Sequence, residues 1–258
     1  MKIIGGEEVE DPTAYPYQVF IEKIWNNTAF FKCGGTIYNE QYIITAGHCT
    51  YFRDAGVFAT PRQMWVTAGT IDLASKDEEI RRDKQVIGVS EIHTHPNFEF
   101  KRYENDRSDT PIYDIAILKL KKPLKLTDRV APLSIPPEKF VVKGNGTVTG
   151  WGRKELNGTI INRMRKVDIP FLELKSCKKL FKWVVHVNDD MVCTGTEEGN
   201  VTPCYGDSGG PVRCTDDQGS HYFCGVSSFN GNNCANYNVY TRVSSYIQWI
   251  RSVAGEQI

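Results

Sequence analysis

Gly206-Asp207-Ser208-Gly209-Gly210-Pro211 packs three glycines around a single serine. Glycine tolerates backbone conformations that expose a serine hydroxyl and turn two neighbouring N–H groups towards one point. Such a pair of donors can stabilise the oxyanion of a tetrahedral intermediate in acyl transfer. The same letters also describe an ordinary Gly/Ser turn, and short motifs match by chance. The segment also fits the G-x-S-x-G elbow of α/β-hydrolases, which needs Asp or Glu and then His downstream in a βαβ context. After Ser208 the chain offers only Asp216, Asp217 and His221, crowded into one polar loop of a β-rich stretch. The elbow reading fails.

Upstream, the order is better. A serine hydroxyl needs a neighbouring base. Thr45-Ala46-Gly47-His48-Cys49 ends a β-rich run on a histidine, and Asp114-Ile115-Ala116-Ile117-Leu118 leads a carboxylate into an apolar strand. His, Asp and Ser in that order are one of the known arrangements of a catalytic triad. These three segments resemble the chymotrypsin/trypsin family of serine peptidases. Ile3-Ile4-Gly5-Gly6, Cys33-Gly34-Gly35, Thr149-Gly150-Trp151-Gly152 and Val239-Tyr240-Thr241-Arg242-Val243 extend the likeness from Ile3 to the C-terminal helix. Gly47 departs from it, standing where the family usually has alanine; flexibility beside His48 is the expected effect.

Composition agrees with a secreted globular protein. The 258 residues are 40% hydrophobic and 24% charged, with a formal net charge of zero. Zero net charge removes any global electrostatic case for nucleic acid or a membrane surface. No apolar run nears the roughly 18 residues that span a bilayer. The eight cysteines lack C-x-x-C spacing, so disulfides read better than zinc. Sequons at Asn26, Asn145, Asn157 and Asn200 also point to an oxidising, extracellular setting. No signal peptide is visible, and Met1 reads as a start codon on a trimmed sequence.

Short β-rich runs bounded by Gly, Pro, Asn and Asp follow one another: Tyr17–Ile21, Tyr42–Thr45, Met64–Ala68, Gln85–Val89, Ile115–Leu120, Gly146–Thr149, Tyr222–Ser227 and Asn238–Val243. That pattern predicts an all-β sandwich or barrel. Val243, Tyr246, Ile247 and Ile250 give one apolar helical face, with Ser244 or Ser245 near its start, and Leu174–Phe181 is a weaker helical stretch. Lys121–Pro137, with four prolines, reads as a crossing between two halves, and no internal repeat is visible. The resemblance implies two antiparallel six-stranded β-barrels packed together with a C-terminal helix. It places one peptidase domain over 3–258, with barrels at about 17–125 and 138–242, a helix at about 243–254, and residues 1–2 as an activation or cloning remnant.

The resemblance also assigns roles. His48 would act as general base and then acid, Asp114 would orient its ring, and Ser208 would attack. The N–H groups of Gly206 and Ser208 would bind the oxyanion, and Ser228 would hold Asp114 and start the strand that pairs with substrate. Cutting Lys2-Ile3 would free the Ile3 ammonium to bury itself against Asp207, so the uncut chain should be an inactive precursor. Cys33–Cys49, Cys177–Cys193 and Cys204–Cys234 follow the family's disulfide pattern. Cys214 and Cys224 depart from it and flank one polar hairpin, so they are expected to bond across its base.

Thr202 would form the floor of the specificity pocket, with Tyr205, Asn230 and Asn238 lining it. Lacking the aspartate of trypsin-like members, such a pocket favours a neutral residue, as in chymotrypsin or elastase. Thr50–Gln63 and Glu99–Tyr113 are long for the family and should overhang the cleft. Lys101–Arg107 reads as a solvated loop, and His93-Thr94-His95 as solvated surface. His186 and His221 give no constellation. The calcium-loop glutamate is missing near Thr70, so no metal or other cofactor is expected. Protein or peptide substrates and protein inhibitors are the expected partners of a monomer; nucleic acid and membranes are not. The rival reading is a catalytically silent homologue that binds a partner through the same fold.

Overall fold

In Gln18–Trp25 the buried positions Val19, Ile21 and Lys23 alternate with the more open Glu22 and Ile24, the two-residue period of a strand with one face inward. The computed structural model describes residues 6–25, 28–102, 109–138, 140–152, 161–181, 185–196, 206–230 and 237–257, the side chains of 28–32 excepted. Six strands build the first barrel: β1 (Gln18–Trp25), β2 (Thr28–Ile37), β3 (Tyr42–Thr45), β4 (Met64–Ala68), β5 (Gln85–Thr94) and β6 (Ala116–Leu120). They close in the order β6-β3-β2-β1-β4-β5, with β5 returning to β6.

Six more strands build the second: β7 (Asn145–Gly150), β8 (Arg165–Leu172), β9 (Met191–Gly195), β10 (Pro211–Thr215), β11 (His221–Asn230) and β12 (Tyr237–Arg242). These run β8-β7-β10-β11-β12-β9, closed by pairing of β9 with β8. Shifting each strand number of the first barrel up by six reproduces the second barrel's neighbours. The expected pair of six-stranded antiparallel barrels is therefore present, and both share one topology. The stretch between Leu120 and Asn145 joins them, with no strand among its described residues.

The barrels meet through buried side chains and close backbones. Phe20 of β1 packs edge-on against Trp151, ring centroids 5.7 Å apart, and the Trp151 indole donates to Ile71 O. Thr149 Oγ1 donates to Gln18 Oε1 at 2.6 Å between buried groups. Gly34 N–H donates to Ser208 O at 2.7 Å, and a Cβ at Gly34 would lie 2.8 Å from Gly210 Cα. Glycine is required at that crossing.

Among the described residues two helices of eight residues complete the fold, α1 (Leu174–Phe181) and α2 (Ile247–Ala254), the latter continuing a 3-10 turn at Val243–Tyr246, besides a single helical turn at Glu78–Arg81. Val243, Tyr246, Ile247 and Ile250 are all buried, as their spacing predicts. Burying each such side chain contributes roughly 1.5–3 kcal/mol. Ser244 and Ser245 lie inside the 3-10 turn, whose start has no side-chain cap. The tail after α2 is tied to the first barrel by Tyr38 Oη, which donates to Gly255 O at 2.7 Å. Among the described residues no helix is long and apolar enough to cross a membrane.

Candidate active site

Strand register brings the first two candidates together. Ala116 of β6 pairs with Thr45 of β3, so Asp114, two residues before, meets His48, three residues after. His48 sits in a 3-10 turn, Gly47–Thr50, locked by Thr50 Oγ1 donating to Gly47 O at 2.7 Å. The Cys33–Cys49 disulfide ties that turn to β2. The His48 backbone N–H donates to Asp114 Oδ1 at 2.8 Å, and His48 Nδ1 lies 2.8 Å from Asp114 Oδ2. Ser228 Oγ donates to the same Oδ2, and Thr241 Oγ1 donates to Asp114 O at 2.8 Å. Asp114 is buried, which pushes its carboxyl up, but the His48 charge and the hydrogen bonds from His48 and Ser228 outweigh that and hold it below the ordinary carboxylate range.

Ser208 is fixed from the other side. Its carbonyl accepts from Gly34, while Gly209 N–H donates to Ser227 O at 2.7 Å and Gly210 N–H to Asp207 O at 3.0 Å. Among the described residues the N–H groups of Gly206 and Ser208 donate to no backbone acceptor. Gly206 has φ +101° and Gly209 φ +77°, and a Cβ at Gly209 would sit 2.2 Å from Thr45 Oγ1. The loop must therefore be glycine there. Asp207 is buried, accepts from Gly152 N–H at 2.9 Å, and fills the space that a Cβ on Gly150 or Gly152 would need. The Gly150-Trp151-Gly152 motif is thus a seat for this carboxylate.

His48, Ser208 and Ser228 line one cavity of about 510 Å³, together with Asn230 and Asn238. Asn238 Nδ2 donates to Ser227 Oγ at 3.3 Å. Each of the two long segments contributes a strand pairing at its rim, Tyr51–Phe52 with Val57–Phe58 and Glu99–Lys101 with Thr110–Ile112. Arg53 of the first reaches Asp109, just before Thr110–Ile112, at 2.9 Å and covers the Phe100 ring. The only described cluster with metal-ligating atoms in reach of one another is Cys33, His48 and Cys49, whose cysteines are bonded to each other and offer no thiolate.

The trypsin family model matches residues 3–250. The chain belongs to the trypsin family. Among similar proteins, trypsin-1 of Astacus astacus is 35% identical over 98% of this chain and all of its own length. Chymotrypsin-C of Mus musculus is 31% identical over 97% of this chain and 88% of its own. Coagulation factor IX of Cavia porcellus is 32% identical over 96% of this chain and 80% of its own. These relatives support a serine endopeptidase role for this trypsin-family chain.

Three disulfides agree with expectation: Cys33–Cys49, Cys177–Cys193 and the departing pair Cys214–Cys224, whose Cα atoms are 5.8 Å apart across β10 and β11. Ile3, Thr202, Cys204, Tyr205, Cys234 and the sequons at Asn26, Asn157 and Asn200 lie outside the described residues. Asn145 is exposed at the first position of β7.

Two sequence expectations need correcting. His95 is not solvated surface: its ring stacks on Tyr113 and contacts Tyr246 and Trp249, and burial pushes its imidazole pKa down. Gly47 is not slack beside His48, because a Cβ there would lie 2.7 Å from the Phe98 ring. Sequence reading also passed over Lys23, a cavity-lining residue whose ammonium donates to Tyr51 O at 2.6 Å and covers the Phe52 ring. The signal was present, since Lys23 takes an inward position in the alternation of β1.

Proposed function

We propose that this trypsin-family chain is a secreted serine endopeptidase that cleaves through an acyl-enzyme. The double engagement of Asp114 by His48, through backbone N–H and ring Nδ1, carries the reading. A ring donating from Nδ1 to the carboxylate keeps Nε2 as the acceptor, so His48 takes the Ser208 proton as the hydroxyl attacks the peptide carbonyl. Asp114 then stabilises the imidazolium. The N–H groups of Gly206 and Ser208 receive the oxyanion. His48 returns the proton to the leaving amine, and water, deprotonated by the same ring, releases the acyl group.

Activation by cleavage at Lys2-Ile3 fits a buried Asp207 beside the nucleophile, because a buried carboxylate gains from a cationic partner and the Ile3 ammonium supplies one. Asn230 and Asn238 line the cavity with amides, and Thr202 completes a pocket without a carboxylate in our assignment, favouring a neutral residue over Lys or Arg. Residues 3–258 act as one extracellular monomeric peptidase unit, glycosylated at one or more sequons and open to protein substrates and inhibitors.

An organophosphonate separates this reading from a silent homologue. After cleavage of Lys2-Ile3, mass spectrometry should find one adduct, on Ser208, and protein retaining Met1 should react far more slowly. No adduct on cleaved, folded protein would favour the silent homologue. Cleavage of a peptide library should then show neutral residues before the scissile bond, and preference for Lys or Arg there would overturn the pocket assignment.

A further inference from the structure

We propose that the turn His95–Phe98 is a bracket that fixes the residues just before His48 and Asp114, making Phe98 and Tyr113 positioning residues for that pair. It rests on the roles given to His48 and Asp114 above. The turn is closed by Phe98 N–H donating to His95 O at 2.9 Å and is anchored by His95 N–H donating to Ile115 O at 3.0 Å. From this one turn two rings reach in different directions, one to each catalytic neighbour.

The first arm is Phe98. Its ring occupies the space above Gly47: a Cβ there would meet Cδ2 at 2.7 Å and Cγ at 3.0 Å. Cγ is too near the backbone to swing aside cheaply. Phe98 is also held by Phe58 and Phe100, with ring centroids 6.2 and 5.4 Å away. Gly47 is bonded directly to His48, so the ring limits where the turn carrying His48 can go.

The second arm is His95. Its ring lies parallel to that of Tyr113, with centroids 5.1 Å apart and an interplanar angle of 8°. Tyr246 and Trp249 also contact the histidine ring, with centroids 5.4 and 5.0 Å away. Tyr113 has φ +50°, the only positive φ at a non-glycine among the described residues. A bulky side chain in the left-handed region is strained and persists only when its surroundings hold it there. Ile115 N–H donates to Tyr113 O at 2.8 Å, so the chain folds tightly about Asp114. The stack holds the strained residue that aims this carboxylate.

The test uses a compensating pair. Misplacing reacting groups by about 1 Å can cost on the order of 100-fold in rate. In cleaved protein, Gly47→Ala should lower kcat about 10- to 100-fold with KM changed less than about twofold. Adding Phe98→Leu, which surrenders room for the new methyl, should restore kcat to within a few fold of wild type. His95→Ala should lower kcat by about tenfold, again with little change in KM. Rates are to be normalised to folded protein. The low-field Nδ1 proton resonance of His48 gives an activity-independent readout, which should shift or broaden in Gly47→Ala and return in the double variant.

Full kcat in Gly47→Ala or His95→Ala would overturn the bracket, as would a double variant no better than Gly47→Ala. Wild-type protein that takes no phosphonate would instead defeat the peptidase reading, while the His48 resonance would still report on the bracket.

Discussion

Asp114 spends every acceptor it has on its neighbours: both carboxylate oxygens face His48, one also accepts from Ser228, and its backbone carbonyl accepts from Thr241. Asp114→Asn keeps the shape but offers an amide where one of these donors arrives, favouring the wrong imidazole tautomer. The expected result is a loss of about 10⁴-fold in kcat with the fold intact, measured by steady-state kinetics beside a circular dichroism spectrum. A loss below about tenfold would sink the role given to this carboxylate. Lys23 makes a prediction about stability instead. Burial lowers its pKa from the ordinary 10.5 to about 8. The unfolded chain therefore binds more protons between those values, and stability should rise with pH across that window. At about 1.4 kcal/mol per pKa unit the penalty at neutral pH is at most roughly 3.5 kcal/mol. Lys23→Met should accordingly lose this rise, and its stability difference from wild type should move in wild type's favour between pH 8 and 10.5 in urea unfolding. A constant difference across that range would refute the assignment of the cost to a buried ammonium.

At the scale of elements, the hairpin of β10 and β11 carries a bridge that departs from the family pattern. Cys214–Cys224 closes a loop with a sequence separation of 10, for which loop-closure entropy gives about 2–3 kcal/mol. Changing both cysteines to serine should lower the unfolding free energy measured in urea by that amount and leave phosphonate labelling of Ser208 nearly unchanged. A collapse of labelling with little loss of stability would mean that the bridge acts on the site instead. The elements also differ in how legible they were. Tyr42–Thr45 and Met64–Ala68 were read to the residue because apolar β-formers stop at turn residues. Strand β2 hid behind Gly34-Gly35, which the barrel crossing requires and which a local pattern counts against a strand. Strand β10 opens on Pro211, read as part of the serine loop, and β8 carries Arg165, Lys166 and Asp168, which blur its alternation. The catalytic candidates were legible because chemistry restricts residue type there. The packing of Phe98 on Gly47 was not, because nothing local links residues that far apart.

The whole molecule is two barrels of one topology, yet the chain reads without a repeat. Strand order is fixed by long-range closure, whereas each inward position accepts any apolar side chain of suitable size, so the two halves can share a path without sharing residues. The proposed site draws on both barrels, since its candidates His48 and Asp114 come from the first and Ser208 from the second. Gly34 is where that dependence can be tested. Its N–H donates to Ser208 O at 2.7 Å, and a Cβ would meet Gly210 Cα at 2.8 Å, Gly210 N at 3.0 Å and Gln18 Nε2 at 3.1 Å. Two of those atoms are backbone and cannot rotate away. Gly34→Ala must therefore separate β2 from the 206–210 loop, costing about 1–3 kcal/mol by overpacking and loosening the hydrogen bond that sets Ser208 against the first barrel. The expected outcome is a modest fall in the urea midpoint together with a much larger fall in the rate of phosphonate labelling, because stability averages over the interface while labelling depends on this one contact. Labelling at the wild-type rate in a folded Gly34→Ala protein would show that Ser208 is held by the second barrel alone.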